Sequence, residues 1–279
     1  MVDRFEHFLL TRFNVRLNWA KREPTQDWLR RRIELFERFC LPSVRGQSVQ
    51  DFRWLVFFVP QSPQFLKERN ERWRKYPNFR PYFTDAFNSN LVSQAVSEQS
   101  AAEFVITSRL DNDDAISRDF IKRVQENFSG QELEFINFSN GYSYKRGRVY
   151  RVRFMSNSFI SLIEKKTPQE QLRTVLCGIA HGRFGSIGPI RNLAGRPGWM
   201  IVVHGENLAS RAWGIREPSA RAVEHFSLGS DVFARENRLL VGIERICGYI
   251  RYGSVAGVKK AAWPFGLFYC SLKNQRNSK

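Results

Sequence analysis

Apolar and polar positions along the chain switch repeatedly between a strand-like and a helix-like period. Phe5 to Thr11 reads as a strand, and Asp27 to Leu41 places Trp28, Leu29, Ile33, Leu35, Phe36, Phe39 and Cys40 near helical spacing, with Pro42 expected to close that helix. Phe52 to Val59 is apolar at nearly every position, as in a strand covered on both faces, and ends at Pro60. Ser62-Pro63 then opens a charged helix running to about Tyr76. A strand from Arg80 to Thr84, a helix from Ser89 to Ser100, a strand from Phe104 to Ser108 and a helix from Ser117 to Phe128 complete four strand-then-helix units. This alternation predicts an α/β fold with a mostly parallel sheet and helices on both faces.

After Gly130 the pattern changes. Leu133 to Phe138 and Arg148 to Phe154 flank Gly141 and Lys145-Arg146-Gly147, which predicts a hairpin with a basic tip. Helices are expected from Ser156 to Lys166 and from Pro168 to about Ala180, followed by a Gly- and Arg-rich loop from Gly182 to Gly198. Trp199 to Val203 is a late strand that ends in His204-Gly205, and helix-like stretches follow at Ala220 to His225 and Leu239 to Arg251. The expected division is a sheet domain over residues 1–215 and a helical, basic and aromatic C-terminal segment over residues 216–279.

The fourth strand carries the chemistry. Val105 and Ile106 are β-branched and lead directly into Asp111-Asn112-Asp113-Asp114, so three carboxylates arrive together at one edge of the sheet. Like charges this close repel, and the cluster calls for a cation. One reading is an acidic turn before the next helix. The other is a site for Mg²⁺ or Mn²⁺, hard ions that carboxylates share with substrate phosphates. In open α/β sheets ligands bind beyond the carboxyl ends of the strands. Arg12, Asp85 and Asp111 each follow a predicted strand and should converge there, which favours the binding reading. His204, also at a strand end, is either a turn residue or a further metal ligand.

Charge narrows the partners. The 279 residues hold 44 Lys and Arg against 27 Asp and Glu, a formal +17. The excess implies an anionic partner: nucleic acid, an anionic membrane surface or a phosphorylated small molecule. The basic residues are spread along the chain and no nucleic-acid-binding motif appears, so a nucleic-acid-binding protein stands only as the second hypothesis. Cys40, Cys177, Cys247 and Cys270 lie far apart among mostly apolar neighbours, which points to reduced thiols rather than a zinc site or disulfides. No run is long and apolar enough to span a bilayer, and Met1 to His7 lacks a signal-peptide pattern, so a cytoplasmic or peripheral protein is expected. Lys259-Lys260, Trp263, Phe265, Leu267, Phe268, Tyr269 and Lys273 interleave basic and aromatic residues, as either an amphipathic segment packed on the core or a membrane-surface segment does.

At Thr107-Ser108-Arg109-Leu110-Asp111-Asn112-Asp113-Asp114-Ala115 the sequence resembles nucleotide-sugar glycosyltransferases of the GT-A fold. With Arg12-Phe13-Asn14 early and Trp199 before Val203-His204-Gly205 late, it is similar to the family-2-related rhamnosyltransferase group over about the first 210 residues. The resemblance implies a Rossmann-like sheet and a metal-dependent, inverting transfer of a sugar, rhamnose among the possibilities, from a nucleotide-diphosphate donor to a glycan or lipid-linked acceptor. It implies that Asp111 and Asp113 hold Mn²⁺ or Mg²⁺ against the donor diphosphate, that His204 completes the metal shell, and that Arg12, Asp85, Arg109, Asp111 and Asp114 bind the nucleotide sugar. An inverting reaction also needs a base for the acceptor hydroxyl. The Glu-Asp pair common in family 2 is absent between Asp114 and His204, which leaves Glu164 as first choice and His181 as second. An inactive glycosyltransferase-like scaffold is the third hypothesis.

Overall fold

The structure, a computed structural model, describes residues 4–15, 25–167, 169–179, 181–205 and 212–252. Strand β1 (Phe5–Arg12) leads to helix α1 (Gln26–Leu35), whose first turn is capped by the Thr25 hydroxyl accepting from the Trp28 N–H at 3.2 Å. Pro42 does not end this helix. A π-helical turn over Phe36–Cys40 intervenes, with the Leu41 N–H bonded to the Phe36 carbonyl, and α2 (Leu41–Arg45) follows with Pro42 in its first turn. There the missing N–H of proline leaves no ladder bond unmade.

The alternation then continues through β2 (Arg53–Phe58), α3 (Gln64–Trp73), β3 (Phe79–Phe83), α4 (Ser89–Ser97) and β4 (Phe104–Arg109). Trp54, Val56 and Phe58 point to one face of β2, and Leu55 and Phe57 to the other, and all five are buried. A strand covered on both sides shows no polar alternation, which is why its apolar run was continuous. The region expected to be a single helix from Ser117 to Phe128 holds a shorter helix, α5 (Phe120–Gln125), and is preceded by a short strand, β5 (Ala115–Ile116).

The second half departs further from expectation. After β6 (Leu133–Phe138) the hairpin forms between β7 (Asn140–Lys145) and β8 (Arg148–Arg153), not between β6 and β8. Its two-residue tip, Arg146 (φ 48°) and Gly147 (φ 80°), has the paired positive φ of a type I′ turn. The stretch expected as a helix from Ser156 to Lys166 holds a strand, β9 (Ser161–Lys165), which fills the slot between β4 and β6 and runs antiparallel to both. A short apolar run suits either conformation, and here the open sheet edges decide. Residues 169–179 contain no helix, and the expected loop from Gly182 to Gly198 holds a 3₁₀ turn (His181–Ser186) and β10 (Ile190–Leu193).

Strands β11 (Trp199–Val202) and β12 (Ile215–Glu217), then α6 (Ser219–His225) and α7 (Arg238–Tyr252), complete the described chain. The central sheet has the order β10-β6-β9-β4-β1-β2-β3 and is parallel except at β9. Residues from α1, α2, α3 and α5 pack on one face, and those of α4 with Leu172, Val175 and Phe184 on the other. A second sheet, β12-β8-β7-β11-β5, packs Tyr142, Tyr144, Met200 and Val202 against Ala222, Phe226 and Val232. The expected division at 215/216 falls inside β12, which pairs with β8. The basic and aromatic residues from Lys259 to Lys273 lie outside the described residues.

The two sheets meet at Trp199. Its ring stacks between Phe154 (5.6 Å, 11°) and Phe159 (5.1 Å, 9°), and its Nε1–H donates to the Phe138 carbonyl at 2.7 Å. Gly141 on the adjacent strand makes this possible, since a Cβ there would stand 2.2 Å from the indole. The late strand is thereby fixed, and it carries His204 towards the end of β4.

Candidate functional site

Strands β1 and β4 are parallel neighbours, with Leu10 opposite Arg109, so their carboxyl ends present Arg12 and Arg109 side by side. Both guanidinium groups reach Asp111. Arg109 Nη2 lies 2.9 Å from Oδ2 and 3.1 Å from Oδ1, and Arg12 Nη2 lies 3.2 Å from Oδ1. Burial draws the Arg12 guanidinium below its ordinary range, and Asp111 opposes that shift. One partly exposed carboxylate thus holds two arginines at the edge of the sheet.

Asp113 is organised differently. Its Oδ2 is 2.6 Å from Arg32 Nη1 and 2.8 Å from His204 Nε2, and all three side chains are nearly buried. Arg32 also donates to Asn112 Oδ1 at 3.2 Å, while Asn112 Nδ2 donates to the Phe13 carbonyl at 3.0 Å. The acidic loop is therefore tied to α1, to Phe13 just after β1 and to His204, two residues after β11. The repulsion evident in the sequence is met by three arginines, since a guanidinium paired with a carboxylate offsets charge in a partly desolvated site.

Arg32 was not among the residues singled out from the sequence, although a signal existed. Leu29, Ile33 and Phe36 form the buried stripe of the first helix, and Arg32 falls within it by spacing. A charged residue on an apolar stripe requires a buried partner. Asp113 is that partner.

Asp114 does not face the edge. Its Oδ1 accepts the Val202 N–H at 2.8 Å, and burial, followed by the nearby Asp113 and Asp111, pushes its carboxyl well above the usual carboxylate range. It braces β11 against the acidic loop, which removes it from the expected donor-binding set. The same field reaches the Cys40 thiol, pushed well up by burial and then by the three aspartates.

The expected metal set of Asp111, Asp113 and His204 is not assembled: among the described residues no group of three His, Cys, Asp or Glu side chains is arranged to hold a metal. Asp111 is turned to Arg12 and Arg109, whereas Asp113 and His204 do converge. A carboxylate oxygen and an imidazole nitrogen at this separation would suit a divalent ion that also binds substrate phosphate.

The other expected site residues lie apart from the cluster. Asp85 follows β3, two strands from β1 on the same edge, and accepts from Gln61 Nε2 at 2.9 Å. Glu164 is at the wrong end of the sheet. It pairs with Val105, four residues and so roughly 13 Å of strand before Arg109. Its carboxylate accepts the N–H groups of Arg173 (2.7 Å) and Thr174 (2.9 Å), with its pKa raised by burial. A buried carboxylate occupied in this way anchors a loop and is out of reach of an acceptor at Asp111. His181 opens the 3₁₀ turn, and its side chain lies outside the described ones.

A family described as "Putative rhamnosyl transferase" matches residues 20–216. Among solved structures, Staphylococcus aureus TarS 1-349 in complex with UDP-GlcNAc is similar at 14% identity and a TM-score of 0.43, covering 75% of this chain and 61% of that one. The UDP complex of the same protein is similar at 15% identity and a TM-score of 0.41, covering 71% and 60%. HddC from Yersinia pseudotuberculosis is similar at 11% identity and a TM-score of 0.34, covering 67% and 89%. The chain thus spans about 60% of the length of TarS 1-349. No curated protein matches the chain.

Proposed function

The chain belongs to this rhamnosyl transferase family, and on that premise we propose that it is a glycosyltransferase that moves a sugar, rhamnose by the family's description, from a nucleotide-diphosphate donor to a glycan or lipid-linked acceptor. The observation that carries the reading is the convergence of Arg12, Arg32 and Arg109 on Asp111 and Asp113 at the carboxyl edge of a mostly parallel sheet. Breaking the bond between sugar and phosphate builds negative charge on the departing nucleoside diphosphate, and fixed cations at that position stabilise the transition state. In this reading Asp111 is a positioning residue. It pre-orients Arg12 and Arg109 so that little side-chain entropy remains to be lost when the diphosphate binds.

The proposed cofactor is Mn²⁺ or Mg²⁺, held by Asp113 and His204, which would add Lewis-acid stabilisation of the leaving diphosphate. Arg32 orients Asp113 through their 2.6 Å ion pair. Asp85, on the same edge, is the proposed contact for the nucleoside. Inversion at the anomeric carbon is proposed on the resemblance to family-2 enzymes, with the acceptor proton passing to a base other than Glu164.

Thermal shift against a panel of nucleotide sugars, with and without Mn²⁺, tests the proposal, because a ligand bound only by the folded state raises its stability. A deoxysugar nucleotide at one hundred times its Kd should add about 2.7 kcal/mol. Failure of every nucleotide sugar to shift the melt, with and without the ion, would sink it.

A further inference from the structure

Helix α7 is amphipathic in the inverted sense. Its inward side is polar: Glu244 bonds Arg216 Nε at 3.1 Å and Arg148 Nη1 at 2.9 Å, and Arg245 lies 3.6 Å from the buried Glu217. Gly248 lets the helix approach β12 closely, since a Cβ there would meet Ile215 Cα at 3.2 Å. The outward side holds Leu239, Leu240, Ile243, Ile246 and Ile250, all more than half exposed, with Leu239 at 79% and Ile250 at 73%. Cys247 and Tyr249 are exposed beside them.

We propose that this outward face of α7 is a docking surface for an anionic lipid bilayer, on which the helix lies in the plane of the headgroups. Three observations select lipid over other occupants. At about 100° per residue the apolar positions from Tyr249 round to Leu240 cover roughly half the helix circumference, wider than the narrow seam of a two-stranded coiled coil. Arg238 and Arg251 are exposed at the two borders of that face, and the one acidic residue of the helix, Glu244, is turned inward to arginines. An interfacial helix has this arrangement, with apolar side chains below the headgroups and cations level with them. The chain that follows, residues 253–279, contains Lys259, Lys260, Lys273, Arg276 and Lys279 and no acidic residue, so its charge adds to the attraction. A second copy is a poorer occupant, because a helix of 15 residues buries less than the ~1,200 Å² of a stable dimer. The inference is independent of glycosyl transfer and would hold for an inactive chain.

The test is sedimentation of the full chain with vesicles of equal parts phosphatidylglycerol and phosphatidylcholine, and with phosphatidylcholine alone, for the wild type and for Ile243→Ser combined with Ile246→Ser. Both side chains are exposed, so an unchanged melting temperature is expected and serves as the folding control. The wild type should bind the anionic vesicles preferentially, and the double variant should bind them at least about tenfold more weakly. Equal binding of the two proteins would overturn the proposal, as would no binding by the wild type. A wild-type dimer that the variant converts to monomer, without vesicle binding, would reassign the face to a second copy. Slow maleimide labelling of Cys247 in the free chain, relieved by removal of residues 253–279, would reassign it to the chain's own C-terminal segment.

Discussion

One route by which acidification should act on this fold is His7. It lies on β1 with 2% exposure, and its Nε2 is 2.8 Å from Ser108 Oγ, which in turn is 2.5 Å from Ser161 Oγ. The three form a buried polar chain across β1, β4 and β9, one residue before Arg109. Burial pushes the His7 imidazole down to about 3 from its ordinary 6.5. A folded pKa below the unfolded one means that the unfolded chain takes up the proton first, so stability is complete above about 6.5 and is lost as the pH falls towards 3. At pH 5 the difference of about 1.5 pH units from the unfolded pKa corresponds to roughly 2 kcal/mol. Urea unfolding of the wild type and of His7→Gln between pH 8 and pH 5 isolates this contribution from the other titrating groups. The variant keeps a nitrogen near the Nε2 position and lowers stability at pH 8. Its loss on acidification should nevertheless be about 2 kcal/mol smaller than that of the wild type. Parallel profiles for the two proteins would show that His7 does not titrate as a buried neutral group, and the assignment would fail.

The carboxylates at the two ends of β4 should separate by role. Asp111→Asn removes the anchor of Arg12 and Arg109 and should lower kcat/KM for the donor by about 10²- to 10³-fold; steady-state kinetics with an unchanged melt checks this, and unaltered kinetics refutes the positioning role. Glu164→Gln should lose about 1–3 kcal/mol of stability by weakening the bonds to the Arg173 and Thr174 N–H groups, while turnover per folded molecule is retained. A hundredfold loss of activity at an unchanged Tm would restore Glu164 as a base. Gly141→Ala should destabilise by about 3 kcal/mol, because its Cβ meets the Trp199 ring and both neighbouring stacks must shift. Chemical denaturation measures it, and a neutral effect would mean that the contact between β7 and β11 relaxes easily.

The first half of the fold was readable from sequence because β1, β2 and β4 are buried strands with apolar runs, and helices separate successive strands from β1 to β4. The second half was not, for a reason visible at β9. Phe159 to Ile163 has no period that distinguishes helix from strand, and its conformation is set by the slot between β4 and β6, residues distant in sequence. The same blindness to register produced the choice of Glu164, whose position opposite Val105 is a property of the sheet alone. At the site, the loop from Asp111 to Asp114 and its neighbours Arg12, Arg109 and His204 could be gathered from strand ends. Which acid faces which partner could not, since Asp111, Asp113 and Asp114 lie within four residues yet turn to Arg12 and Arg109, to Arg32 and His204, and to the backbone of β11. Arg32 was legible in retrospect as a charge on an apolar stripe.

The proposed role of the edge formed by Asp111, Asp113 and their arginines is to accept a nucleotide sugar and promote departure of its diphosphate. It is tested most directly by nucleoside diphosphate release from a deoxysugar nucleotide in the presence of Mn²⁺, comparing the wild type with Asp113→Asn. Release by the wild type is expected, with a loss of at least about a hundredfold in the variant while it remains folded. Full activity of Asp113→Asn, or no release from any nucleotide sugar by the folded wild type, would contradict it.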